Sequence, residues 1–223
     1  MPVFVNTNEN YLIATSYKVM YGTLYQQSNL TLLAKKRVPF VLMRDKILFK
    51  KRTNYLLVRN PYDRLVSCFV HKIKMNKFQY KPLDSKTSNI RWQNCQTIFF
   101  PYFNINVDSD DYSIGKHLAD ISFENFIQAL PHVFKKDAHL WPQSWAYYCR
   151  LRTYPVMHLK FDKIIRIEDE IEFLKDNLHI DIGIQENKTD HDFYSKYYTP
   201  YLYQIVNKIY ENDFNYFGYQ MQE

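Results

Sequence analysis

Apolar residues along this 223-residue chain fall into short runs with different periods. "NYLIATS" alternates weakly and predicts a first strand, and "VMYGTLYQQSNLTLLAKK" then predicts a helix that turns Leu24, Leu30 and Leu33 inward. After Pro39 the run "FVLMRDKILF" fits strand or helix. "TNYLLVRNP" is the clearest strand, stopped by Asn60-Pro61. Pro61 suits the first turn of a helix, and "PYDRLVSCFVHKIK" continues with Leu65, Val66, Phe69, Val70 and Ile73 at helical spacing. Strand, turn and helix thus occur twice, the pattern of an α/β fold with a parallel sheet.

Residues 75–120 lack a clear period, mixing polar and aromatic positions, and predict an irregular insertion that packs as loops. A helix restarts at "SFENFIQALPHVF", with Ser122 as its N-cap. "MHLKFDKIIRI" reads as strand and "EDEIEFLKDNLHI" as an amphipathic helix. "YTPYLYQIVNKIYENDFNYFGY" reads as a final helix with an aromatic tail. No repeat or low-complexity tract interrupts the chain, so residues 1–223 are expected to form a single domain.

Composition narrows the class. Hydrophobic residues at 46% and aromatics at 17% exclude a disordered chain. No apolar run reaches the length of a membrane span and no segment directs export, so the expectation is a cytoplasmic protein. Cys68, Cys95 and Cys149 are widely spaced, contain no C-x-x-C pair and form no disulfide framework. Read along the chain, no Cys/His cluster has ligand spacing, and no metal is expected.

Charge changes the picture more. The net +6 is uneven: Lys35 to Lys77 carries thirteen Lys or Arg against Asp45 and Asp63, so this window holds +11 and the rest −5. Such a field suits an anionic partner, whether nucleic acid, polysaccharide, phosphorylated cofactor or acidic membrane; a solvated surface is the alternative. One of only four glycines, Gly22, stands four residues after Lys18 and beside Thr23, between the first strand and the following helix. Strand, short loop with lysine and small residue, then helix is the make-up of a phosphate-cradling loop, although an ordinary strand-to-helix turn has it too.

The second strand-turn-helix shifts the balance. "LLVRNPYDRLVSCFVHKI" closely resembles the strand-turn-helix of sulfotransferases that use 3′-phosphoadenosine 5′-phosphosulfate (PAPS), particularly the membrane-associated carbohydrate group and its bacterial relatives. In that family an arginine at the strand end and a serine eight residues on bind the cofactor's 3′-phosphate; Arg59 and Ser67 fall at that spacing. "SYKVMYGTLY" is similar to the family's 5′-phosphosulfate loop, with Lys18 in the lysine position and Thr23 in a hydroxyl position. It departs from the pattern at Tyr17, where proline is usual, at the bulky Met20 and Tyr21, and at Gly22, which replaces a hydroxyl residue. "DAHLWPQSWAYY", "DKIIRIEDEIEFLKDNLHI" and the closing "DFNYFGY" resemble later family segments in the same order.

The resemblance implies a three-layer, P-loop-like sandwich with a central parallel sheet flanked by helices. It implies sulfonyl transfer from PAPS to an acceptor hydroxyl, with a carbohydrate, anionic or neutral, as acceptor and PAP as product. The implied cofactor contacts are Tyr17, Lys18, Val19, Gly22, Thr23 and Leu24 in the loop, together with Arg59 and Ser67. Lys18 would offset charge on the leaving phosphate, as cations do in phosphoryl transfer. His139, His71 and Asp45 are the candidate bases, with His139 preferred because it lies in a segment of family likeness. Two other readings stay open: a catalytically degenerate relative kept for binding, and a basic nucleic-acid-binding module. The last lacks any helix-turn-helix, RNP or zinc signature, and no nucleic acid is expected as partner.

Overall fold

Val3, Val5, Leu12 and Ala14 lie in one apolar cluster, while Phe4, Tyr11 and Ile13 lie in another. That alternation is the mark of strands buried on both faces. In the computed structural model, which describes residues 1–34, 38, 41, 52–74, 94–151, 154–158, 160–183 and 192–223, the strands are β1 (Val3–Asn6), β2 (Tyr11–Thr15), β3 (Thr31–Leu32), β4 (Thr53–Val58), β5 (Tyr148–Leu151), β6 (Tyr154–His158) and β7 (Lys163–Arg166). The helices are α1 (Tyr21–Tyr25), α2 (Pro61–Phe69), α3 (Asn94–Thr97), α4 (Asp111–Asp120), α5 (Phe123–Val133), α6 (Ile171–Leu178) and α7 (Pro200–Phe217). They fall into two compact units: Met1–Asn60, Pro142–Lys188 and Asn212–Tyr219 make the first, and the remaining residues make the second.

The first unit is built on a mixed five-stranded sheet of order β3-β1-β2-β4-β7. Its centre is parallel, with Thr15 opposite Leu57 between β2 and β4, and Leu57 opposite Ile165 between β4 and β7. β1 and β3 extend it in antiparallel fashion. On one face Phe4, Ile13, Leu57 and Ile165 pack with Leu24 of α1 and with Leu174 and Leu178 of α6. On the other, Leu12, Ala14, Leu56 and Val58 pack with Ala146 and Phe217. The sheet is thus covered on both sides, an α/β architecture as expected, with parallel strands at its centre and an antiparallel edge. β5 and β6 form a separate two-stranded antiparallel sheet.

The second unit is helical and aromatic. Phe69 of α2 meets Phe123 and Phe126 of α5 at 5.3 and 5.4 Å, and Tyr198 stacks on Tyr203 at 4.8 Å. Ser122 caps α5 as expected: its hydroxyl accepts from the Asn125 N–H at 3.1 Å. A π-helical turn, Val70–Lys74, continues α2. No helix among the described residues is long and apolar enough to cross a membrane.

Three expectations change. The helix read over residues 19–36 is only the five residues of α1, and the chain then enters the edge strand β3. Leu30 and Leu33 explain it: they pack against opposite faces of the sheet, which one helical face does not permit. β1 was not foreseen, because four residues give too short an alternation. Its hairpin to β2 is made by Asn6, whose Oδ1 accepts from the N–H groups of Asn8 and Glu9 at 2.9 and 3.0 Å. The described part of the irregular region, 94–120, holds α3 and α4, the latter capped by Asp110 accepting from Ser113 N–H. Residues 75–93, Asp45 and most of the "FVLMRDKILF" run lie outside the described residues.

Candidate active site

The carboxyl ends of the parallel strands β2 and β4 bring the predicted loop and the predicted arginine together. After Thr15 the chain turns sharply. The Thr15 hydroxyl donates to the Val19 carbonyl at 2.5 Å, and Val19 N–H donates to the Ser16 carbonyl at 3.3 Å. Val19 and Leu24 are fully buried in the core, so their side chains anchor the loop and only their main chain is placed to meet a ligand. Lys18 and Met20 both adopt left-handed backbone, φ 69° and 53°. Each such residue costs about 1–2 kcal/mol where it bears a side chain. Gly22 does not take up that strain; it sits inside α1, and its carbonyl accepts from Gln26 N–H. Thr23 is buried beside it, and Tyr17 is half-buried with its ring 5.4 Å from Tyr21.

Arg59 follows β4 directly. Its Nη1 donates to the Lys18 carbonyl at 3.2 Å, joining guanidinium and loop. Its main chain is held from both sides by Gln143: the Arg59 N–H donates to Gln143 Oε1 at 3.0 Å, and Gln143 Nε2 donates to the Arg59 carbonyl at 2.7 Å. Ser16 Oγ reaches the same Oε1 at 3.4 Å. Gln143 is itself fixed from beneath, since Asp213 accepts from the N–H groups of Gln143 and Ser144, both at 2.7 Å. Gln143, Ser144 and Asp213 are all buried. Beyond Arg59, the Asn60 N–H donates to Glu168 Oε1 at 2.6 Å, and the Tyr219 hydroxyl donates to Glu168 Oε2 at 2.9 Å. Burial and the neighbouring Glu168 carboxylate push the Tyr219 hydroxyl far above its ordinary range, so it remains a donor.

Gln143 and Asp213 carry no role in the sequence reading. Both lie inside segments quoted for the resemblance, "DAHLWPQSWAYY" and "DFNYFGY", and that is the signal that pointed to them.

Ser67, His71 and His139 belong to the second unit. Ser67 is buried on α2, and His71 is half-buried in the π-helical turn. His139 is held by Asp137: its ring Nδ1 lies 2.7 Å from Asp137 Oδ1, and its N–H donates to the same oxygen at 2.8 Å. Asn94 Nδ2 donates to Asp137 Oδ2 at 2.9 Å. Burial pushes the Asp137 carboxyl up, but hydrogen bonds from the His139 ring and main chain and from Asn94 outweigh it and hold it at about 2. The dyad fixes the imidazole with Nδ1 toward the carboxylate.

A family model described as "Sulfotransferase family" matches residues 25–220. The match spans parts of both units and contains Arg59, Ser67, His139, Gln143 and Asp213; the Lys18 loop lies just before it. No curated protein and no solved structure matches the chain. With the strand-end arginine, its Gln143 brace and the α/β sheet in place, the extent of this match shows that the chain belongs to the sulfotransferase family.

Proposed function

We propose that this protein transfers a sulfonyl group from PAPS to a hydroxyl of a carbohydrate acceptor, with both units serving one sulfotransferase domain. One observation carries the reading: the Arg59 guanidinium bonded to the Lys18 loop at the carboxyl ends of two adjacent parallel strands, where α/β sheets bind their ligands. The donor set fits an anion with two phosphate-type groups. Arg59 offers a forked, permanently charged donor, Lys18 a compact cation, and Ser16 and Thr23 offer hydroxyls. PAPS, when bound, supplies the sulfonyl group and a phosphate leaving group.

Lys18 supplies positive charge where negative charge grows on the departing oxygen. Gln143 and Asp213 do not touch the ligand in this scheme; they hold the Arg59 main chain so that the guanidinium is oriented before binding. The resemblance assigns Ser67 a phosphate hydroxyl role. His139, with Nδ1 turned to Asp137, takes the acceptor's proton at Nε2.

Calorimetric titration with PAP tests this directly. Micromolar binding is expected, weakened about a hundredfold in Arg59→Ala and about tenfold in Lys18→Ala, as befits one charge-assisted contact each. Absence of binding by the unmodified chain overturns the assignment. Binding without turnover on any hydroxyl acceptor would instead support a degenerate relative retained for binding.

A further inference from the structure

Three side chains distant in sequence meet in the second unit: Cys95 in α3, and Asp137 and His139 beyond the end of α5. Each offers one donor atom, a thiol sulfur, a carboxylate oxygen and an imidazole nitrogen, and the three lie within 4.8 Å of one another. We propose that this cluster binds a borderline-soft divalent cation, zinc before others, through Cys95 Sγ, Asp137 and His139 with water as fourth ligand.

The donor types select the metal. Sulfur with nitrogen and one oxygen suits zinc, whereas magnesium and calcium require several oxygens. Zinc-ligand bonds of about 2.0–2.3 Å place tetrahedral donors about 3.5 Å apart. The His139–Asp137 distance of 2.7 Å is instead that of a shared proton, so these two donors separate by under about 1 Å when the metal replaces it. Charge favours the exchange. A dication meets the Asp137 carboxylate and a Cys95 thiolate, giving a neutral buried centre; the thiol proton leaves to solvent, and the shared proton passes to Nε2, so the imidazole stays neutral. Without metal, burial pushes the Cys95 thiol up to about 12, while the nearby Lys72 pulls the other way, so the sulfur is protonated.

The outer support is already present. Asn94 donates to Asp137 at 2.9 Å and to the Lys136 carbonyl at 3.1 Å, orienting the carboxylate from behind. Cys95 is 2% exposed, but the His139 side chain keeps 20%, which gives a cation a way in on the imidazole side. Occupied by metal, His139 accepts no proton, so zinc should inhibit turnover. That consequence alone rests on the catalytic role proposed for His139; metal binding does not.

Cobalt(II) titration of the untagged full chain under a non-thiol reductant tests the site without reference to activity. Expected are saturation at one equivalent, the visible bands of four-coordinate cobalt, a near-ultraviolet thiolate-to-cobalt band, and displacement by zinc. Cys95→Ser should abolish the thiolate band, and Asn94→Ala should weaken binding about tenfold while keeping it. A six-coordinate spectrum, or a thiolate band unchanged in Cys95→Ser, overturns the proposal. Should that variant fail to fold, alkylation of the unmodified protein decides: zinc should protect Cys95 from iodoacetamide, and equal labelling with and without zinc overturns the site. Cobalt binding in a chain that ignores PAP would leave the metal site standing and the enzymatic reading fallen.

Discussion

One site in each unit holds its polar side chains in the opposite way. Around Arg59, Gln143 and Asp213 spend their oxygens and nitrogens on main-chain groups, at 2.7 to 3.0 Å. At the Asp137–His139 dyad of the second unit the contact runs instead between two side chains that titrate, and the Tyr62 hydroxyl, another titrating group, is bonded to Asn207 and accepts from Gln222 N–H. Main-chain amides have no second charge state, so the Gln143 part of the first arrangement does not change with pH. The second changes with protons or metal ions, which makes it responsive and fragile at extremes.

Replacing Asp213 with Leu should break this contrast most severely. Two buried N–H groups would lose their acceptor, at a cost of about 3–5 kcal/mol in urea unfolding. A loss below about 1 kcal/mol would show that Asp213 is not the foundation of the Gln143 brace.

Alkaline unfolding sharpens the other side. Burial raises the Tyr62 hydroxyl to about 12 from its ordinary 10.0. The folded state therefore holds this proton more tightly than the unfolded chain. Its contribution is complete below pH 10 and is lost as the pH rises through about 12. Unfolding midpoints of the unmodified protein should fall relative to Tyr62→Phe across that window, by the equivalent of about 2 kcal/mol. Parallel curves would remove Tyr62 from the account.

Gln143→Ala is the mildest change. It should cost about 1 kcal/mol of stability, yet weaken PAP about tenfold, because Arg59 would keep its charge and lose its orientation. Equal affinity in this variant would mean that the Lys18 contact alone holds the guanidinium.

Much of this was legible in the sequence wherever local rules decide the outcome. "TNYLLVRNP" ends at Pro61 and gives β4 and α2, and Ser122 opens α5, since each signal lies within a few residues of its effect. The resemblance points to Lys18 and Arg59 separately; the bond from the Arg59 guanidinium to the Lys18 carbonyl is not legible in it. What stayed hidden depends on distant partners. Gln143 serves a main-chain pair 84 residues away and Asp213 one 70 residues away, and no periodicity encodes either. Cys95 meets His139 only once α3 and the segment after α5 are folded together. Glycine is no guide to the strained positions: Gly22 lies inside α1, whereas Lys18 and Met20 take the left-handed backbone. The fold holds two ordinary side chains in strained backbone there.

The two-residue β3 has a bearing on how this protein behaves at high concentration. An outermost strand offers its unpaired amides to any other chain that can lie alongside. Here that margin is only Thr31–Leu32, both exposed, and the opposite margin, β7, begins and ends in Lys163 and Arg166. Among the described residues, one border of this sheet is too short to template a fibril and the other is flanked by the ion pairs Lys163–Glu170 and Arg166–Asp169. In a chain with 46% hydrophobic residues, the five-stranded sheet thereby carries its own protection against edge-to-edge aggregation.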